Sequence, residues 1–206
     1  MLRLHDYALS VECYTARLML SLLGLAYETR PVDVYPGREQ GGAAFRALSP
    51  DGALPVLEDG DRVVVGVGPV LTHLAEARDA SGRWLPETGR TDVLDWLGFA
   101  TGDLAAVAKA RETTVFGAPG DAGALREAGW LALRRLDDRM TDRALAGGDW
   151  IAGDAASIAD IACFPLVALS HDSGLGLEDF PALNLWQRRV RRLPGFAGMP
   201  GIPDYF

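Results

Sequence analysis

Three side chains near the start of the chain stand at a spacing that chemistry can use. Ser10, Glu12 and Cys13 lie at the front of an apolar run with helical periodicity, Val11 to Gly24. A serine in that place caps the helix through its side-chain oxygen. The same hydroxyl, helped by the positive end of the helix dipole, can hydrogen-bond an anion such as a thiolate and lower the pKa of the thiol. Glu12 is favoured in a first turn by the dipole alone, and it is also placed for acid–base work. Cys13 reads as a small packed residue or as a nucleophile. Because its partner three residues back is Ser10, the pair cannot close an internal disulfide, and dithiol redox chemistry is excluded.

Other chemistry-bearing residues are more scattered. Cys163 is the second of two cysteines, and neither has a histidine at metal-ligand spacing, so no disulfide framework and no metal site is expected. His5 reads as a packing residue on a first strand, while His73 and His171 belong to no motif. Ser157-Ile-Ala-Asp160 fits a capping box ahead of the apolar run Ile161-Ala-Cys-Phe, a helix-starting device and not a catalytic pair. Trp96, Phe99, Asp103 and Arg111 recur at helical spacing and form either core or one wall of a pocket.

The elements that must position these residues fall into two groups. Leu2 to His5 alternates as a strand, Val11 to Gly24 is a helix and Tyr27 to Val34 a second strand. Ala43 to Ala47 forms a short helix, Leu54 to Val65 a hairpin turning at Asp59-Gly60, and Pro69 to Ala77 a closing helix. That order, βαβαββα, makes a small α/β domain over residues 1–77. Residues 78–90 are rich in turn formers and serve as a linker. Residues 91–206 show only helical periodicity, in Asp92 to Glu112, Ala122 to Leu145, Ile158 to Ser170 and Pro181 to Leu193, and make an all-α bundle.

Composition narrows the class. The chain has 206 residues, 49% hydrophobic and 23% charged, enough for a sizeable core without disulfides or metals. A net charge of -8 excludes a general nucleic-acid binder, which draws its affinity from basic contacts to phosphate. No apolar stretch approaches the roughly 20 residues of a membrane span, and a cytoplasmic location is expected.

Several stretches resemble the glutathione transferases. Leu9-Ser10-Val-Glu-Cys13-Tyr-Thr-Ala-Arg17 is similar to the start of many bacterial members. Ser49-Pro-Asp-Gly-Ala-Leu54-Pro55-Val56-Leu57 resembles the family's Asn-Pro-x-Gly-x-Val-Pro-Val-Leu signature. Gly148 to Ile161, and Phe180-Pro-Ala-Leu-Asn-Leu-Trp186-Gln-Arg-Arg-Val followed by Pro194-Gly-Phe, look like its C-terminal motifs. The resemblance spans nearly the whole chain. It implies a thioredoxin-like domain followed by a helical bundle, a homodimer, and a small electrophilic substrate. It also implies a cis proline at Pro55, with Leu54 offering its backbone to the cysteinyl part of glutathione and Val56 beside it. Ser10 becomes the thiolate stabiliser, Glu12 stands where similar relatives often carry Asn, and Arg38 falls in the segment that contacts the glycyl carboxylate.

One departure bears on function. Where the family reads approximately Val-Leu-x-Glu-Ser-x-Ala-Ile-Leu, with Glu and Ser binding the γ-glutamyl group, this chain has Val63-Val-Val-Gly66-Val67-Gly-Pro-Val-Leu. Neither Gly66 nor Val67 has a side chain that can accept from an ammonium. Each charge-assisted bond lost removes roughly 1.5–3 kcal/mol of affinity. The helix start is expected to shift so that Gly68 is the cap and Pro69 the first helical residue. The expected protein is therefore a glutathione-transferase-like enzyme with reduced or lost glutathione dependence. The alternatives are a glutathione-independent isomerase, cyclase or lyase in the same cleft, or a non-catalytic ligand-binding or interaction module.

Overall fold

The computed structural model describes residues 1–199. The end of the domain placed at 91–206 thus lies outside the described residues from position 200 onward.

Strand β1 (Leu2–Asp6) buries alternate residues, and helix α1 (Val11–Leu22) lies against it with Val11, Leu18, Met19 and Leu20 turned inward. Strand β2 (Tyr27–Pro31), the short helix α2 (Ala43–Arg46), strands β3 (Val56–Asp59) and β4 (Arg62–Val65), and helix α3 (Val67–Ala77) complete the unit. The sheet order is β2-β1-β3-β4, with β1 and β2 parallel and the other neighbours antiparallel. A parallel β1–β2 pair needs a crossover, and α1 supplies it. In the hairpin Asp59 still pairs with Arg62, so Gly60 and Asp61 are the turn residues, one position beyond the expected Asp59-Gly60. Gly60 has φ 62, a value that favours glycine.

Helix α3 corrects a second expectation. Its cap is Gly66, with φ 89 and ψ 160, and Val70 N donates to Gly66 O at 3.0 Å. Gly66 N also donates to Pro55 O at 2.8 Å, which fastens the end of β4 to the start of β3. That bond fixes where the strand stops, so the helix begins at Val67 and not beyond Gly68. Pro69 then occupies the third helical position, where a missing N–H leaves no acceptor unsatisfied.

The segment between Ala77 and Arg90 contains no helix or strand, yet it is not a loose tether. Trp84 and Leu85 are buried, and Trp84 O accepts from Ile158 N at 2.9 Å. The helical half comprises α4 (Arg90–Thr101), α5 (Ala105–Phe116), α6 (Ala122–Leu145), α7 (Ile158–Ala168) and α8 (Pro181–Arg191). The single helix expected from Asp92 to Glu112 is two. It breaks at Gly102, with φ -102 and ψ -99, where a Cβ would meet Gly98 O at 3.0 Å.

Helix α7 is buried on every side, the pattern of a central bundle helix. Its start is the expected capping box: Ser157 Oγ accepts from Ala159 N at 3.3 Å, and Asp160 Oδ2 accepts from Ser157 N at 2.9 Å. Asp160 Oδ1 also accepts from Ile151 N at 3.1 Å and from the Trp186 indole at 2.9 Å, which ties α8 to α7. The fold is a four-stranded mixed sheet with helices, followed by a helical domain, and one continuous apolar core runs through both halves.

Candidate functional site

Two adjoining cavities open where the halves meet. The larger, about 320 Å³, is lined from the first domain by Tyr7, Ser10, Glu12, Tyr35 and Leu54, and from the second by Arg111, Glu112 and Phe116. The smaller, about 210 Å³, shares Val11, Glu12 and Leu54 with it and reaches Val67 and Thr101. Together they form a single cleft with Glu12 and Leu54 at its middle.

Ser10 caps α1, its Oγ accepting from Cys13 N at 3.1 Å. Its own proton goes to Glu12 Oε2 at 2.7 Å. The hydroxyl is thus both a cap and the partner of a carboxylate in the cleft. Cys13 is fully buried behind this turn, its sulfur accepting from Tyr7 N at 3.4 Å. Burial pushes its thiol up to about 12, which leaves it neutral and without a route to a cleft ligand. Of the two readings of Cys13, the buried position outside the cavity wall is that of the packed residue.

Leu54 precedes Pro55 through a cis peptide bond. Its backbone N–H and C=O take no partner among the described backbone groups, and the residue faces the cavity. Pro55 and Val56 are buried behind it. Gly66 is the cap of α3 and does not line the cleft, whereas Val67 lines the smaller lobe. Arg38 is exposed, in the left-handed region at φ 53, and is absent from the cavity wall.

The stripe Trp96, Phe99, Asp103 and Arg111 separates in space because the helix breaks at Gly102. Trp96 and Phe99 pack on each other and against Arg135, which also pairs with the exposed Asp103 at 3.0 Å. Arg111 alone reaches the cleft. It is only 5% exposed, and its Nε donates to Asp172 Oδ2 at 2.8 Å and its Nη1 to Leu9 O at 2.8 Å. The guanidinium also lies over the Phe116 ring, 5.4 Å from the centroid.

Five cavity residues have no counterpart in the sequence reading: Tyr7, Tyr35, Gln40, Glu112 and Phe116. Tyr35 stacks on Phe116 at 5.2 Å with 10° between planes, and Tyr7 meets both rings at an angle. Burial raises the pKa of both phenols, which keeps them protonated donors at neutral pH. Glu112 is raised chiefly by burial and then by the nearby charge of Glu12. Gln40 Oε1 is buried with no donor among the described residues. Glu112 and Phe116 stand one and five residues beyond Arg111 on α5, which was the one available signal; Tyr7, Tyr35 and Gln40 come from separate loops and share no periodicity.

The histidines lie elsewhere. His5 Nε2 lies 2.6 Å from Glu58 Oε1, His73 Nε2 lies 2.9 Å from Asp59 Oδ2, and His171 Nε2 lies 3.0 Å from Asp172 Oδ1. Among the described residues no cluster could hold a metal ion, and no helix is long and apolar enough to cross a membrane.

Known proteins match along the chain. Residues 4–82 match the model of the glutathione S-transferase N-terminal domain, and residues 131–194 that of the C-terminal domain. A maleylacetoacetate isomerase of Rhizobium meliloti is 28% identical over 206 residues, covering 94% of this chain and 92% of that protein. The disulfide-bond oxidoreductase YfcG of Escherichia coli is 28% identical, over 86% of this chain and 84% of that one. A solved glutathione S-transferase of Pseudomonas fluorescens superposes with a TM-score of 0.86 at 29% identity, covering 97% of this chain and 98% of the other. Sheet order, cleft and both domain matches lead to one conclusion: the chain belongs to the glutathione S-transferase family.

Proposed function

We propose that this protein is an enzyme of the family that acts on a small electrophilic metabolite in the interdomain cleft, with its glutathione dependence reduced or lost. The bond from Ser10 to Glu12 carries the reading. A hydroxyl that stabilises a thiolate must donate to it, but the Ser10 proton is given to a carboxylate 2.7 Å away. A thiolate brought to the same place would sit beside the Glu12 charge, which disfavours ionisation of the thiol. At the start of α3, Gly66 and Val67 supply no side-chain acceptor for a γ-glutamyl ammonium. Two contacts of glutathione recognition, one to the central cysteinyl thiolate and one to the γ-glutamyl end, are thus left without their side-chain partners.

What the cleft offers instead is proton transfer. Glu12 and Glu112 line the same lobe, and burial together with the Glu12 charge raises the pKa of Glu112. Two carboxyl groups facing one cleft, in unlike surroundings, suit isomerisation or elimination, and the similarity to an isomerase over 94% of the chain supports that class. A weaker form of the reading keeps some glutathione binding, because the free backbone of Leu54 can still pair with a peptide. Calorimetry with glutathione tests both. Wild type should show no binding or millimolar binding, while Val67→Ser with Glu12→Asn should strengthen it by roughly tenfold or more. Tight binding by wild type overturns the reading.

A homodimer forms part of the same proposal. Val63 on β4 and Leu94 on α4 are exposed apolar side chains of the kind a second copy would cover.

A further inference from the structure

We propose that the cleft takes a monocarboxylate, whose carboxylate is held by Arg111. This rests on the reading that a small molecule other than glutathione occupies the cleft, and it adds the chemistry that recognises it.

A guanidinium as buried as Arg111 is costly to keep unless each of its donor edges has a purpose. Two edges are accounted for. Nε is held by Asp172 from the far side, and Nη1 holds Leu9 O in the loop that leads into Ser10. The third nitrogen, Nη2, donates no hydrogen bond among the described residues, although Arg111 lines the larger lobe. Asp172 and the Phe116 ring fix the plane of the fork, so the remaining donor is oriented before any ligand arrives. Oriented arginine donors match the geometry of a carboxylate.

The surroundings support an anion at this end and oppose one at the other. The phenols of Tyr7 and Tyr35 line the same lobe as neutral donors, and the Tyr35–Phe116 stack provides a flat apolar wall. Glu12 and Glu112 occupy the rest of the lobe, where a second negative group on the ligand would meet like charge. A ligand with one carboxylate and an uncharged, flat, unsaturated body fits both constraints.

Cinnamate, its amide and 4-carboxycinnamate make a matched probe set for calorimetry. The wild-type protein should bind cinnamate about tenfold or more tightly than cinnamamide, the worth of a charge-assisted bond, and more tightly than the diacid. Arg111→Gln should remove the preference for acid over amide, and Arg111→Lys should keep part of it. Because Arg111 also holds Leu9, a variant that merely loosens the loop lowers both affinities and preserves their ratio. If Arg111→Gln does not fold, the lysine variant and the comparison of mono- with diacid still decide the matter. Equal binding of acid and amide by wild type, binding of neither at millimolar concentration, or a preference for the diacid overturns the proposal. Tight glutathione binding would sink the preceding reading while leaving the acid-to-amide ratio as a separate result.

Discussion

Helices α1 and α7 both begin with a serine cap and a nearby acid, Glu12 in one and Asp160 in the other, and put them to different uses. At α7 the pair is sealed in the core: Asp160 is fully buried and answers donors from Ser157, Ile151 and Trp186. At α1 the pair faces the cleft, Ser10 and Glu12 are half-buried, and Glu12 accepts from Ser10 alone among the described residues. The spacing differs by one residue, but the larger difference is in what surrounds each acid. An acid whose oxygens are filled by the protein stabilises a fold, whereas an acid with spare acceptor capacity beside a cavity can work on a ligand.

The largest expected effect tests the buried pair. Asp160→Ala would strand the Ile151 amide and the Trp186 indole without acceptors, and chemical denaturation should show a loss of about 3 kcal/mol or more. A cost no greater than that of Ser10→Ala would break the comparison. Ser10→Ala itself should remove about 1 kcal/mol, the ordinary worth of a cap, as read by the same denaturation series.

A smaller effect sharpens the picture of the cleft. Glu112 has a folded pKa above its unfolded value, so its contribution favours folding fully only below the unfolded pKa and is lost as pH rises through the folded one. Glu112→Gln should therefore make the protein slightly more stable than wild type at neutral pH, with the gain vanishing in acid. Thermal unfolding at several pH values reads this directly, and a destabilised variant at neutral pH would contradict it.

Much of this was legible before folding was considered. The capping box at Ser157 needs only residues three apart, and the hairpin needs only a glycine between two apolar strands, so both are local properties. The break at Gly102 was not legible, because Thr101-Gly-Asp interrupts an otherwise continuous helical period with a single residue. Nor was the start of α3: Gly68-Pro69 is a sound local cap, and it loses because Gly66 is already fastened to Pro55 from another strand. The five cavity residues missed in the sequence come from loops and helix faces that meet only after the two domains pack.

The sequence by itself determined the family, the order of elements, the places of Ser10, Leu54 and Pro55, and the loss of the acidic residue and serine at Gly66 and Val67. These follow from short motifs and from periodicity, which depend on neighbours along the chain. The tertiary structure alone decided that Ser10 gives its proton to Glu12, that Cys13 is sealed away, and that Arg111 crosses to the first domain with a donor to spare. Hydrogen-bond direction and burial depend on what lies opposite a side chain in space, and residues 9 and 111 become neighbours only through the fold.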